Sequence, residues 1–317
     1  MRPYTSIDWM WLELIKDLLN APSGPSRDGA MRGEILGWSG QLSAQGQRTF
    51  LTNPERGLSP SYAAAETLWY MSGQKKSEML ERYAPSYKKF APDGQAHGAY
   101  GPRVMTQLKY IINTLRRQPH SRQAVVNIWT PEDLRLATLE NTVPDLPCTI
   151  AWQFLVRNGT LHMSVAMRSN DAWKGFPYDV FAFTCFQRVI AHELGIRVGP
   201  YQHHVIGSMH LYERDAKRAQ RASECPIMMP FCGHTWLDDT GLIDCFQAIK
   251  LERSIREGHH ITESDTNSLG SMTRDLLAAC AMKLDLEWLA YLQPRSPLWQ
   301  RNREKINFPT SSSETET

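Results

Sequence analysis

Cys148 stands at the entrance to a strand-like run, in Asp145-Leu146-Pro147-Cys148-Thr149. A thiol beside a chain-directing proline can be a nucleophile where nearby cations stabilise the thiolate. The other reading is a small, buried, apolar side chain. Glu66 shares a helix-spaced stripe with Tyr62 and Trp69, with Ala65 beside it. A carboxylate on such a stripe is costly unless it is paired or has a task, and burial raises its pKa into a range that suits proton transfer. A structural salt bridge is the alternative. Arg168-Ser169 offers a guanidinium fork and a hydroxyl that fit phosphate oxygens, and Pro119-His120-Ser121-Arg122 makes a second cationic turn. Either pattern also serves as solvated surface charge. Asp179 lies two residues after Pro177, and an acid just behind such a proline suits a helix N-terminus. On its residues alone it reads as a cap-type acid. A metal site is not expected: Cys225, Cys232 and His234 make a C-x6-C-x-H pattern that fits no common zinc spacing. His203 and His204 face opposite sides of any strand that carries them.

These groups need elements to hold them. Ile7 to Asn20 repeats apolar residues at three and four, as a helix does. A Gly/Pro/Ser-rich loop (Ala21 to Gly29) precedes a glycine-interrupted strand at Gly33 to Leu42. Helices are expected at Ser61 to Ser72 and Arg103 to Arg117, and a β-branched run covers Ala124 to Trp129. Asn158-Gly159 is a strong hairpin signal between strands at Thr149 to Val156 and Thr160 to Met167. Tyr178 to Leu194 is apolar on nearly every side and should be a buried helix. A strand at His203 to Tyr212 follows, then from about Lys250 polar loops and a helix at Ser271 to Leu292. Thr310 to Thr317 is Ser, Thr and Glu only, a disordered tail.

Composition bounds the function. The 317 residues hold 42% hydrophobic and 21% charged side chains, an ordinary globular balance. Lys plus Arg is 35 against 33 acids, a net charge of +2, which argues against a dedicated nucleic-acid or anionic-membrane binder. No apolar run reaches the roughly 18 to 20 residues of a membrane helix. Six scattered cysteines and a start without a signal-peptide pattern favour a reducing, cytoplasmic setting. No repeat or linker splits the chain, so one mixed-sheet α/β domain is expected over residues 1–309.

Taken together, the segments resemble the thymidylate synthase family. The matching text is Ala65-Glu66-Thr67-Leu68-Trp69-Tyr70, Tyr100-Gly101, Pro119-His120-Ser121-Arg122 and Leu146-Pro147-Cys148-Thr149-Ile150-Ala151-Trp152-Gln153-Phe154. It continues through Met167-Arg168-Ser169-Asn170-Asp171 and Gly175-Phe176-Pro177-Tyr178-Asp179 to Gly207-Ser208-Met209-His210-Leu211-Tyr212. The pieces stand in the family's order over residues 27–212, about 60% of the chain, leaving 213–309 as a divergent part.

The resemblance implies a large mixed β-sheet covered by helices and a homodimer formed by sheet packing. It also implies one-carbon transfer from 5,10-methylenetetrahydrofolate to C5 of a pyrimidine nucleotide monophosphate, with no metal. By that resemblance Cys148 adds to C6 and Glu66 relays protons through water. Arg168 and Ser169 bind the 5′-phosphate, helped by Arg27 and by Arg122 of the partner subunit. His210 and Tyr212 hold the sugar, while Asp171, Tyr100 and Gly175 face the folate. A thiol ringed by such arginines should lose its proton more easily.

Thymidylate synthases have Asn where this chain has Asp179. The Asn amide donates to uracil O4 and accepts from N3–H; cytosine reverses that edge. A protonated carboxyl can donate to N3 and accept from the 4-amino group, and a mismatched buried edge costs roughly 1–3 kcal/mol per group. In this respect the chain is similar to bacteriophage deoxycytidylate hydroxymethylases, in which water captures the C5 methylene intermediate. Thr149 for the family's His, Arg122-Gln123 for its paired arginines, and the missing tryptophan-rich stretch before Tyr100 are departures; the last suits a wetter site. The expectation is dCMP 5-hydroxymethyltransferase activity. The competing readings are a CMP hydroxymethylase, a thymidylate synthase acting on dUMP, and a non-catalytic nucleotide-binding relative.

Overall fold

Asn158 and Gly159 both take positive φ (51° and 68°), the backbone that a two-residue hairpin turn with matching twist requires. The strands they join sit near the centre of a six-stranded sheet. The computed structural model describes residues 3–26, 29–44, 49–138, 145–225 and 239–284. In chain order the elements are α1 (Ile7–Asn20), β1 (Gly24–Ser26), β2 (Gly29–Leu42), α2 (Pro60–Ser72), α3 (Glu78–Tyr83), a 3-10 turn (Pro85–Lys89), α4 (Tyr100–Arg117), β3 (Val125–Asn127) and α5 (Pro131–Ala137). They continue with β4 (Thr149–Arg157), β5 (Thr160–Asp171), α6 (Gly175–Leu194), β6 (Arg197–Tyr212), α7 (Glu213–Glu224), α8 (Leu242–Arg256), α9 (Glu263–Thr266) and α10 (Ser271–Lys283).

The sheet order is β1-β2-β6-β5-β4-β3. Every neighbouring pair is antiparallel except β5 and β6, which run parallel and are joined through α6. This is the mixed α/β sheet covered by helices that the sequence implied. Along β5 the buried residues Leu161, Met163, Val165 and Met167 alternate with half-buried His162, Ser164 and Ala166, so one face carries the core. That core meets α6, whose Phe176, Phe181, Phe183 and Phe186 are fully buried, and reaches Trp11 of α1 and Trp69 of α2. On the other face Leu36 and Ile206 are 73% and 64% exposed.

The expected helix at residues 7–20 matches α1 residue for residue, capped by Ser6, whose hydroxyl accepts from the Trp9 N–H. Three expectations are corrected. The stretch around Lys250 lies inside α8 rather than a polar loop. The loop after α1 contains β1, paired with the start of β2. The buried helix begins at Gly175, so Pro177 is its third residue and Asp179 lies beyond the first turn; Asp179 is therefore not a cap. The expected helix from Ser271 is seen to Lys283. Its proposed continuation to Leu292 and the tail at 310–317 lie outside the described residues.

Candidate active site

The parallel ends of β5 and β6 deliver Ser169 opposite Ser208, Asn170 opposite Met209 and Asp171 opposite His210. The start of β4 brings Thr149 against Met167 from the other side, which places Cys148 at the same sheet edge. The first turns of α6 and the middle of α2 close over it. A crevice at the carboxyl ends of parallel strands is where open α/β sheets bind ligands.

Cys148 is a free thiol, half-buried by residue and enclosed at its sulfur. Its backbone carbonyl accepts from the Arg168 N–H at 2.8 Å. The Arg168 guanidinium bends back over the same loop, donating from Nε to the Pro147 carbonyl (2.9 Å) and from Nη2 to the Leu146 carbonyl (3.2 Å). It also lies 5.2 Å from the Trp129 ring centroid. Arg168 thus ties down the cysteine loop. Burial pushes the thiol up to about 11; Arg168 works against this, while Asp179, Asp145 and Asp171 add to it. The expectation of an easily ionised thiol is corrected: desolvation and three acids outweigh one guanidinium.

Glu66 is buried on α2, a helix enclosed almost all round from Ser61 to Met71. Tyr62 Oη donates to its Oε1 at 2.8 Å, one helical turn away, and Tyr70 adds a second phenol. Desolvation raises the Glu66 pKa to about 7, the two phenols hold it back, and Asp145 pushes the same way as burial. Among the described residues no ion pair reaches Glu66, so the salt-bridge alternative has no cation. A carboxyl poised near neutrality beside hydroxyls can take or release a proton.

Asp179 is buried to 8% exposure, with its carboxyl pushed well above the usual range by desolvation and by the charge of Glu66. Its one moderating contact is Asn170, whose Nδ2 donates to Oδ2 at 2.8 Å. Behind it, Asn170 Oδ1 lies 3.0 Å from His203 Nε2, and His203 Nδ1 lies 2.8 Å from Tyr201 Oη. Burial pushes the His203 pKa down to about 3, so this imidazole is neutral. Gly175 leaves the room: a Cβ there would stand 3.1 Å from Asn170 Nδ2 and 3.5 Å from Asp179 Oδ2.

The other sequence candidates fall around this centre. His210 is buried, with Nδ1 3.2 Å from Ser208 Oγ, and its ring meets that of Tyr212 edge-on. Tyr100 opens α4, stacked 5.1 Å from Tyr70 and within electrostatic reach of Cys148 and Asp179. Asp171 accepts the Trp173 and Lys174 N–H groups on Oδ1. Its other oxygen makes no hydrogen bond among the described residues. Arg122 is exposed on the turn before β3, with its carbonyl accepting from Gln153. Among the described residues no contact joins its side chain to the Cys148 group. Arg27, Cys232 and His234 lie outside the described residues, and among those described no cluster could hold a metal ion.

Sequence reasoning missed Asn170, His203, Tyr201 and Asp145 as parts of the site. Asn170 stood inside a quoted motif, but its partners lie 9 and 33 residues away in the chain, separations that periodicity does not reveal. A further buried cation, Arg56, lies 5.5 Å from the Tyr178 ring and faces Asp171.

A model of the family described as thymidylate synthase matches residues 10–224. The chain is similar to the deoxyuridylate hydroxymethyltransferase of Bacillus phage SP01, 30% identical over 184 residues, which cover 53% of this chain and 46% of that protein. It is similar also to the thymidylate synthase of Bacillus subtilis subsp. natto, 33% identical over 121 residues (38% of this chain, 41% of the relative). A putative thymidylate synthase of Methanocaldococcus jannaschii is 38% identical over 118 residues (37% and 52%). The chain thus spans about half or less of the length of each of these relatives. Among the described residues no helix is long and apolar enough to cross a membrane.

Proposed function

The chain belongs to the thymidylate synthase family, and from that premise we propose that it is a pyrimidine nucleotide C5 hydroxymethyltransferase that converts dCMP to 5-hydroxymethyl-dCMP. One observation carries the choice of base. Asp179 is buried near other acids, and desolvation together with the charge of Glu66 favours its neutral form against the opposing pull of the Asn170 amide. A neutral carboxyl whose proton faces the ring nitrogen donates to cytosine N3 and accepts from the 4-amino group; to match uracil the proton would have to stand on the other oxygen.

The residues divide the work as follows. Cys148 Sγ bonds to C6, which makes C5 nucleophilic, and leaves when the ring regains its double bond. Its raised pKa means that the thiol gives up its proton as the bond to C6 forms. Arg168 holds the cysteine loop and presents its remaining Nη1 donors to the phosphate, with Ser169, Arg122 and Arg27 as further phosphate ligands. His210 and Tyr212 take the sugar. Glu66 moves protons to and from the ring through water, at a pKa near 7. 5,10-Methylenetetrahydrofolate supplies the one-carbon unit at the formaldehyde level, and Asp171, Tyr100 and Gly175 would flank it. Water then adds to the C5 methylene carbon.

The working form is proposed as a homodimer packed through the open sheet face that carries Leu36 and Ile206, with Arg122 crossing to the partner's phosphate. Light scattering of Ile206→Asp tests this: loss of the dimer supports it, and an unchanged mass counts against it.

A second reading is hydroxymethylation of dUMP, favoured by the printed activity of the SP01 relative. Mass analysis of products from dCMP, CMP and dUMP, each with methylenetetrahydrofolate, separates the readings. A gain of CH2O on dCMP supports the proposal. The same gain on dUMP alone supports the second reading, and on CMP alone the ribonucleotide. Thymidylate from dUMP removes water capture.

A further inference from the structure

Behind Asp179 runs a line of three buried side chains, Asn170, His203 and Tyr201. Tyr201 and His203 are both 0% exposed, Asn170 is 3% exposed, and the links are 2.8, 3.0 and 2.8 Å. His203 is clamped sideways by the Phe176 ring, edge-on at 5.0 Å, and by Trp38 at 6.3 Å. Such a line can point in only two directions. In one, the Tyr201 O–H donates to His203 Nδ1, His203 Nε2–H donates to Asn170 Oδ1, and Asn170 Nδ2–H donates to Asp179 Oδ2. In the other, every donor and acceptor is exchanged, and His203 Nδ1–H donates to Tyr201 Oη.

The head of the line decides between them. Tyr201 Oη has His203 as its hydrogen-bond partner, and no second acceptor for it is found among the described residues. Reversed, the line would leave the buried Tyr201 O–H without an acceptor among the described residues, at a cost of roughly 1–3 kcal/mol. In the forward direction the Tyr201 O–H, the His203 Nε2–H and one Asn170 Nδ2–H each meet an acceptor. Oδ2 of Asp179 is then an acceptor, and a proton on this carboxyl belongs on Oδ1.

We propose that Tyr201, His203 and Asn170 are positioning residues for base selection: a one-way line of donors that ends on Asp179 Oδ2, places the carboxyl proton on Oδ1, and so presents a fixed donor-plus-acceptor edge to a 4-aminopyrimidine. Oδ2 keeps one lone pair for the amino group while Oδ1–H meets the ring nitrogen. The inference rests on Asp179 as the reader of the base and adds what orients it. Gly175 belongs to the same device, because a side chain there would press on the Asn170–Asp179 link.

Two measurements test it. In protein carrying nitrogen-labelled histidine, the resonances that vanish in His203→Gln are expected to show a proton on Nε2 and none on Nδ1. A proton on Nδ1 overturns the proposal, whichever base the enzyme prefers. Calorimetric binding of dCMP and dUMP then compares variants whose unfolding midpoints show them folded. Tyr201→Phe, which removes one hydroxyl, is expected to lower the dCMP-to-dUMP affinity ratio about threefold, and Asn170→Leu about tenfold. His203→Leu should behave as Asn170→Leu does, and His203→Gln, which keeps a donor toward Asn170, should recover most of the loss. In an Asp179→Asn background these changes should leave the ratio unmoved. If Asp179→Asn shifts the ratio while Tyr201→Phe and Asn170→Leu do not, the positioning line is overturned and the base reading stands. If Asp179→Asn itself shifts nothing, the base reading falls and takes the line with it.

Discussion

Glu66 and Asp179 are both buried acids whose pKa burial drives upward, yet their neighbours fit them for opposite work. Around Glu66 the partners are phenols, Tyr62 and Tyr70. A hydroxyl can donate or accept, so the proton on Glu66 is free to move between partners and water. Around Asp179 the partner is an amide donor fixed by a neutral imidazole and a tyrosine. That arrangement resists exchange of roles, so its proton stays put. The same desolvation yields a proton carrier on α2 and a reader on α6; what differs is whether the first neighbour can reverse.

The contrast depends on a shared reaction centre, and the harshest way to break it is to remove the sulfur. Cys148→Ala is expected to lower turnover by about 10⁴-fold or more while nucleotide binding persists. Residual turnover within tenfold of wild type would remove the covalent step. The next change touches the carrier alone. Glu66→Gln is expected to reduce kcat by roughly 10²–10⁴-fold with little effect on nucleotide affinity. The wild-type rate should bend near pH 7, and the variant should lose that bend.

The stability consequence has a definite sign. The folded protein holds the Glu66 proton more tightly than the unfolded chain, since its pKa rises from 4.5 to about 7. Its contribution is present in full below pH 4.5 and is lost as pH rises through about 7. Glu66→Gln should therefore gain thermal stability over wild type progressively between those values. A difference in melting point that is flat with pH would contradict the assigned shift.

Asp179→Asn sharpens the other half of the comparison. Exchanging a carboxyl for an amide at the reader is expected to move the preference from cytosine toward uracil nucleotides by roughly 10- to 100-fold in kcat/KM. A matching loss on both bases would make Asp179 structural. The smallest effect is expected from Tyr62→Phe. It removes a hydrogen bond that holds the Glu66 pKa down, so the bend in the rate profile should move to higher pH. A shift to lower pH would show that the phenol does not stabilise the carboxylate.

Much of the frame could be read from local pattern. The α1 stripe, the Asn158-Gly159 turn and the apolar run of α6 are signals within a few residues of one another. The first two appear where those signals put them, and α6 ends at Leu194 as expected but starts three residues earlier, at Gly175. α7 was missed because it is largely charged and buries mainly small residues, Ala216, Ala219 and Ala222, too weak a stripe to register. At the site, residue types named the chemistry of Cys148, Glu66 and Arg168. Asp179 was misjudged from its distance to Pro177, because the helix starts two residues before that proline. The line behind Asp179 could not be seen in sequence at all. It depends on β5 and β6 lying side by side in the sheet. The His203 and Asn170 side chains, 33 positions apart in the chain, meet there although their backbones pair with Val165 and Met209 respectively.

The most direct test is a crystal structure of the protein with dCMP bound. Asp179 Oδ1 is expected within hydrogen-bond reach of cytosine N3, with Oδ2 shared between the 4-amino group and Asn170, and Cys148 Sγ beneath C6. A base whose amino edge meets solvent or another side chain, with Asp179 turned away from it, would contradict the account.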